Sequence, residues 1–586
     1  MLVAQSKNSS TTSVTHRYHT IVPCAFLLGM ATAWIIVDAV LPLRSLYFAS
    51  AQLIPLSQRF LQPSRILFPG RGLSPFLFSK FGYLPYPTSV GTWQETGLLL
   101  CTFLLLFFCY FLALKYLPQR VGIRFILISA CLLGSICMLI PIVTSVDLLS
   151  YIMYARMETL YHLNPLAALP VAKDSVYKYL YWKDQPSAYG PTWILLSSLL
   201  QWSTSFISGT RNISVMVLAF RLLGLLAHLW STLLVWSISR HLQHIHGTDR
   251  FSTRVLATLA FAWNPLLLFE ACVNAHNDTV MLLFILLAFW FLVRRTSLLS
   301  YACVALMLAL ATCLKANAAL LLPGLLIFLW LQPQGKRALS TVLLVYLGTV
   351  VLLYAPFWDR GAILNLLNVN PGTFRNENSI PDFVGQLYNA IRHLLGHPRA
   401  ADIGSRAERV AHTLSLGAFV FAYAFLCWQA LFTRHRLQNF LQLIRWTAIA
   451  WFLYCLLGAP WFWPWYAVTF FGIFALIEAS EPEDSGVWSN VNIALAVRIF
   501  AFCLLSSYCF VVWGVFNSFV PFLSAFRWAY LRGVWIWLPV LFLFFLQLRS
   551  SSIREIWAGP RMLLLSDIVK RSSHAWNELK KRRREI

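Results

Sequence analysis

The feature that most constrains this chain is a recurrence of apolar runs of about 17–25 residues along nearly its whole length, each long enough to cross a bilayer as a helix. Hydrocarbon offers no water to an unpaired amide, and a helix closes its backbone hydrogen bonds within each segment. With 59% of 586 residues hydrophobic and only 12% charged, lipid is the main solvent. The reading is an all-α polytopic membrane protein with about 14 transmembrane helices, near 21–43, 96–116, 123–145, 214–238, 255–271, 278–294, 298–314, 317–332, 338–356, 410–432, 442–460, 463–479, 491–516 and 533–549.

The formal net charge of +24 sits in short loops and at the end of the chain rather than on one soluble face, so it reports topology before any nucleic acid. Lys115, Arg120 and Arg124 flank one turn; Arg240, Arg250 and Arg254 another; Arg294 and Arg295, Lys336 and Arg337, and Arg434, Arg436 and Arg445 mark three more. All fall on one side if the piece from Pro191 to about Ile207 is a juxtamembrane helix that does not cross. Both termini are then cytoplasmic, and the expected location is the plasma membrane. The expected organisation is a cytoplasmic disordered tail at 1–20, a transmembrane domain at 21–549 and a basic cytoplasmic tail at 550–586. Outer loops fall at about 44–95, 146–213 and 357–409, the first of them basic against the rule. The N-terminal apolar run lacks a small-residue cleavage site and reads as a retained helix. Twelve cysteines, with no CxxC or CxxH pair, read as buried thiols.

Three chemically rich stretches share the outer side. In TSVDLLSYIMYARMETLYHLNP, Asp147 follows an apolar run, with Tyr151, Tyr154 and Glu158 after it on one helical face. The carboxylate and phenols can address one groove; alternatively Asp147 is an N-cap and the tyrosines are interface anchors. Arg156, Asn164 and Tyr189 follow, each also explicable as ordinary turn and cap chemistry. In NPLLLFEACVNAHNDTVM, Glu270 precedes His276, Asn277 and Asp278, where Asn277 or Asp278 can be an N-cap. This set can bind a sugar or a cation, but the spacing is not that of a metal site. No metal is assigned and no cofactor established, which leaves room for a divalent cation. Lys315 is either a snorkelling lysine or a phosphate contact. Arg221 within a span points to a partner inside the bundle. The loop PGTFRNENSIPDF, with Arg375, suits a substrate loop. Trp461, Trp463, Trp465 and Tyr466 read as aromatic belt, with sugar stacking as the lesser reading. No nucleotide-binding loop or Ser-His-Asp spacing is present.

Taken in order, Asp147-x3-Tyr151, Asn164-Pro165, WKDQPSAYGPTW, FRLLGLL, NPLLLFE and NAHNDTVM resemble the bacterial polyprenyl-phosphomannose-dependent alpha-1,6-mannosyltransferases, within the C-type fold of integral-membrane glycosyltransferases. The resemblance is dense from Asp147 to Lys315. Where that family tends to read Gly-x-Asn-Pro-Tyr, this chain has His162 and Leu166. The resemblance implies a catalytic aspartate at Asp147 and a second acidic position at Asp278. It also implies a polyprenyl-phosphate sugar donor and an extracytoplasmic glycan or lipid-linked acceptor. Tyr151, Arg156, Asn164, Tyr189, Glu270, His276, Asn277, Lys315 and Arg375 are the candidate substrate-binding residues. The expected reaction is an inverting displacement with Asp147 as general base and Lys315, Arg375 or Arg156 compensating the leaving phosphate. A lipid-linked sugar flippase, a scaffold without chemistry, and a polymer ligase or aminosugar transferase are the alternatives.

Overall fold

A computed structural model describes residues 9–40, 93–140, 145, 147–177, 180, 182–210, 212–245, 250–294, 297–333, 335–365, 376–396, 406–432, 437–480, 487–509 and 528–548. The basic loop with Arg44, Arg59, Arg65 and Arg71, the substrate-loop residue Arg375, and the tail from 550 lie outside this set.

The regular structure among the described residues is helical, with one isolated β-bridge between Glu377 and Trp461. In order they form α1 (Ser9–Val40), α2 (Trp93–Tyr116), α3 (Ile123–Leu139), α4 (Asp147–Tyr161), α5 (Pro191–Ser208), α6 (Ile213–Ile245) and α7 (Phe251–Ala262). A short turn, Pro265–Leu268, runs into a π-helical turn, Phe269–Val273. Then come α8 (Asp278–Arg294), α9 (Leu298–Leu314), α10 (Leu322–Trp330), α11 (Gly335–Tyr354), α12 (Ile380–Leu394), α13 (Arg406–Phe432), α14 (Phe440–Leu453), α15 (Val468–Ser480), α16 (Val487–Ser506) and α17 (Trp528–Leu548).

By length and composition, six described helices can cross a membrane, or seven if one bent pair is a single span. Most of the remaining expected spans coincide with shorter apolar helices such as Ile123–Leu139, Leu298–Leu314 and Ile493–Ser506. Among the described residues the regular structure is thus helical, with six or seven spans long and apolar enough to cross a membrane where fourteen were expected. The expected span at 255–271 is bent by 43° where α7 meets the turn at Pro265. Proline lacks an amide hydrogen and clashes with the preceding turn, and Asn264 starts the new turn by accepting from the Leu266 amide.

Helix α5 is not among the helices long and apolar enough to span. It is also inverted: Leu199, Trp202, Phe206 and Ile207 are exposed, whereas Ser197, Gln201 and Thr204 are buried. That pattern suits a helix whose outer face meets lipid.

Candidate active site

Asp147 is the first residue of α4. Its side chain does not cap its own helix; Oδ2 accepts a hydrogen bond from the Tyr189 hydroxyl at 3.0 Å. The Tyr-Gly-Pro-x-Trp stretch builds this contact. Pro191 opens α5 at its first turn, where a missing amide hydrogen costs nothing. The Gly190 amide donates to the Leu314 carbonyl at 3.1 Å, and a Cβ at Gly190 would lie 2.1 Å from the Cys313 carbonyl oxygen. The turn therefore presses backbone to backbone against the end of α9. Tyr151 meets the edges of both Tyr189 and Trp193, at centroid distances of 5.0 and 4.9 Å. Burial, and then the Asp147 charge, push the Tyr189 phenol well above its ordinary pKa, so it remains a donor. The Tyr151 phenol is raised for the same reasons, in the same order.

The second acidic stretch meets the first. His276 Nε2 lies 3.9 Å from Asp147 Oδ2 and 3.1 Å from the Ser145 hydroxyl. His276 Nδ1 is 2.6 Å from Glu270 Oε2, which also accepts from Asn274 Nδ2 at 2.9 Å. Glu270 Oε1 accepts from the Tyr508 hydroxyl at 2.7 Å. The π turn makes this possible: its wider ring advances the backbone phase by an extra residue, and Ala275 in the left-handed region (φ 54°) turns the chain back. The His276 amide then reaches the Glu270 carbonyl at 2.9 Å. Trp465 stacks on the imidazole at 4.0 Å.

Asp278 opens α8 and is fully buried, with Lys315 Nζ at 2.9 and 2.8 Å from its two carboxylate oxygens. The same ammonium lies 4.1 Å from the centroid of Tyr466. Lys315 is thus committed to Asp278 rather than snorkelling to water. Asn277, between the two clusters, is completely buried, and neither polar atom of its side chain has a partner.

Other expected site residues are placed as braces. Arg156 is paired with Asp174 at 2.8 Å, both buried; Asp174 also accepts from Tyr161 and from the Val176 amide. The guanidinium pins the loop after α4 instead of meeting Asp147. Asn164 donates to the Phe357 carbonyl at 2.9 Å and accepts from the Leu166 amide, tying the same loop to the end of α11. Arg221 donates to the Val273 carbonyl at 2.9 Å and the Met138 carbonyl at 2.7 Å. The expected partners inside the bundle are therefore main-chain oxygens at the ends of the π turn and of α3, where helix dipoles favour a cation. Three residues on, α6 passes so close to the π turn that a Cβ at Gly224 would meet the Ala271 carbonyl at 2.0 Å. Tyr154 is buried and Glu158 is partly exposed, so the expected common face does not line one open groove.

Ser145, Tyr508 and Trp465 were not among the expected site residues. Ser145 and Tyr508 carry no local signal, and the Trp-rich stretch signals a membrane interface as readily as a stacking partner. No group of three or more His, Cys, Asp or Glu among the described residues is arranged to hold a metal ion.

Residues 82–332 match the family model described as alpha-(1->6)-mannopyranosyltransferase, N-terminal domain. Among solved structures, the apo oligosaccharyltransferase of Archaeoglobus fulgidus is similar at 12% identity and a TM-score of 0.36, over 70% of this chain and 56% of that one. This chain spans little more than half the length of that protein, and so low a similarity bears on neither fold nor chemistry. No curated protein matches the chain.

Proposed function

We propose that the chain is a hexosyltransferase of the alpha-(1->6)-mannopyranosyltransferase family whose model matches residues 82–332, and that it transfers its sugar as follows. The donor is a polyprenyl-phosphate sugar, with mannose as the hexose, and the acceptor is an extracytoplasmic glycan or a lipid-linked glycan. The transmembrane region from 21 to 549 acts as one transferase domain in the plasma membrane, with both termini cytoplasmic.

Asp147 is the general base. It takes the proton of an acceptor hydroxyl as that oxygen forms a bond to the anomeric carbon. The bond from that carbon to the donor phosphate breaks, its electron pair leaves with polyprenyl phosphate, and the anomeric configuration inverts. Phosphate is a good leaving group and needs charge compensation more than a proton. Asp278 is the second acidic position of the site. Its buried pairing with Lys315 gives it an electrostatic task, holding that ammonium at the edge of the site.

The observation that carries this reading is the environment of Asp147. Its side chain retains 14% of its exposure while His276 beside it retains none. Of the carboxylates at this centre, it is the one open to an incoming hydroxyl, and Tyr189 fixes its orientation. Glu270 and His276 are then positioning residues. Glu270 already accepts from Tyr508, Asn274 and the imidazole, which fixes the ring facing Asp147. A base must come within about 3.2 Å of the proton it removes, and the hydrogen bond from Tyr189 leaves Oδ1 for that approach.

The test supplies purified protein in liposomes with radiolabelled polyprenyl-phosphate mannose and a mannoside acceptor. The proposal expects a new glycosidic bond with the anomeric configuration inverted, read by NMR. Retention of configuration would overturn the single displacement. Movement of the labelled lipid across the bilayer without a new bond would replace the transferase with a transporter.

A further inference from the structure

Helix α12 carries an apolar stripe that nothing in the transfer reaction uses. Val384, Leu387, Tyr388, Ile391 and Leu394 are all exposed, Leu394 at 63%. They recur at intervals of three, one, three and three, which on a helix of 3.6 residues per turn is one continuous face. The helix has 15 residues and is about 22 Å long, short of the about 30 Å of a hydrocarbon core. It also contains Asp382 and Arg392. A helix this short, with a wide apolar face and charged residues, lies in an interface rather than crossing it.

Its neighbours identify the interface. Helix α12 packs against α13 and α17. The candidate span Arg409–Phe432 within α13 is only 11% buried by the rest of the protein, with Val410 and Leu414 exposed near its start and Phe421, at 75%, further along. A helix that apolar and that bare has lipid for its solvent, and α12, with its own apolar face exposed, packs directly against it.

The opposite end of α12 is held by polar contacts. The Glu377 amide donates to the Pro460 carbonyl and the Phe462 amide to the Glu377 carbonyl, both at 2.9 Å. The Glu377 carboxylate pairs with Arg532 at 2.8 Å. Asn378 donates from its side chain to the Phe462 carbonyl, and from its amide to Asp382, both at 2.9 Å. From Trp461 the rings of Trp463 and Trp465 follow at 5.9 and 5.1 Å, ending on His276. The entrance to α12 is therefore joined to the residues that cover the imidazole.

We propose that α12 is a membrane-surface helix. Its stripe beds into the phospholipid leaflet on the Asp147 side, at the boundary between headgroups and acyl chains. Through Asn376–Asn378 it fixes the height of the Trp461–Trp465 segment relative to that leaflet. The occupant of the stripe is bulk phospholipid, because the side chains of the stripe are exposed and the span that α12 packs against is left bare to lipid.

The test places a photoreactive benzophenone side chain at Leu387, Ile391 or Leu394 of the full chain, at Phe421 as a lipid-facing reference, and at Arg392 as an off-stripe position. The protein is reconstituted in vesicles of phosphatidylcholine and phosphatidylglycerol, irradiated, and analysed by intact mass. Leu387, Ile391, Leu394 and Phe421 are exposed and Arg392 is partly exposed, and the elution profile verifies that each variant folds. The expected result is a one-phospholipid adduct at the three stripe positions, as at Phe421, and loss of that adduct at Arg392. Crosslinks from the stripe to residues 510–527, to residues 397–405 or to a second copy would overturn the proposal. So would the absence of lipid adducts at the stripe while Phe421 gives them.

Discussion

Replacing Gly190 by alanine adds one methyl group at the place where the loop carrying Tyr189 touches α9. In the present geometry that methyl carbon would stand 2.1 Å from the Cys313 carbonyl oxygen, 2.9 Å from its carbon and 3.1 Å from the Tyr354 hydroxyl. Main chain cannot swing aside as a side chain does, so relief requires the turn to retreat by about 1 Å in an interior that is already close-packed. Overpacking of this kind costs about 1–3 kcal/mol, and weakening the bond from the Gly190 amide to Leu314 adds about 1 kcal/mol. Tyr189 moves with the turn, and a 1 Å misplacement at a reacting centre can cost about 10²-fold in rate. Gly190→Ala should therefore lower both the temperature of aggregation in detergent, followed by size-exclusion chromatography, and the rate of sugar transfer. Gly97→Ala is the matched control: it lies in α2 with nothing within 4 Å of the added carbon, and alanine favours a helix by about 0.5–1 kcal/mol. If Gly190→Ala matches the wild type in both assays, the backbone contact does not hold Tyr189 in place and the derivation of the turn is wrong.

Lys315→Met leaves the Asp278 carboxylate buried without its cation. Breaking such a pair costs about 3–5 kcal/mol, so the variant should aggregate at a much lower temperature, while Lys315→Met with Asp278→Asn should recover most of the loss; equal stability of the two would contradict the pairing. His162 follows the last residue of α4 in the left-handed region (φ 51°), with the Leu163 amide reaching back to the Met157 carbonyl at 2.9 Å. Glycine adopts that conformation without strain, whereas a residue with a Cβ loses about 1–2 kcal/mol there. His162→Gly should therefore raise thermal stability by up to about that amount, less the greater chain entropy glycine gives up, without loss of transfer; a lower stability would refute this. The Tyr189 phenol, raised above its ordinary value, stays protonated below about pH 10. Its contribution to folding is fully present below that pH and is lost as pH rises through the folded value. The pH profile of transfer should accordingly show no alkaline limb assignable to this phenol between pH 7 and about 9; a limb in that range abolished by Tyr189→Phe would show the phenol ionising too early.

What could be read in the sequence was what depends on one segment at a time. Run length and the Pro-Gly punctuation placed the helices, and the rarity of acids placed the two stretches that meet. Partners depend on tertiary packing, which residue type does not reveal. Asp147 and Tyr189 are 42 positions apart, and Glu270 and Tyr508 are 238 apart. Arg156 has the chemistry of a phosphate ligand, yet Asp174, which neutralises it, is indistinguishable in sequence from a loop acid. The π turn at Glu270 also has no local signature, and it is what aims the carboxylate at His276. His162 is the converse case: the resemblance marked it as a departure from glycine, and the left-handed backbone supplies the physical reason glycine is favoured there.

The central claim is that the Asp147 carboxylate removes the acceptor proton, and the direct test is the turnover of Asp147→Asn. Asparagine keeps the shape and can still accept from Tyr189, but it cannot act as a base. At equal expression and unchanged thermal stability, with donor and acceptor saturating, the account predicts a fall in turnover of about 10²–10⁴-fold. Turnover within about twofold of the wild type would be a smaller loss than any general base at this centre permits, and would contradict it.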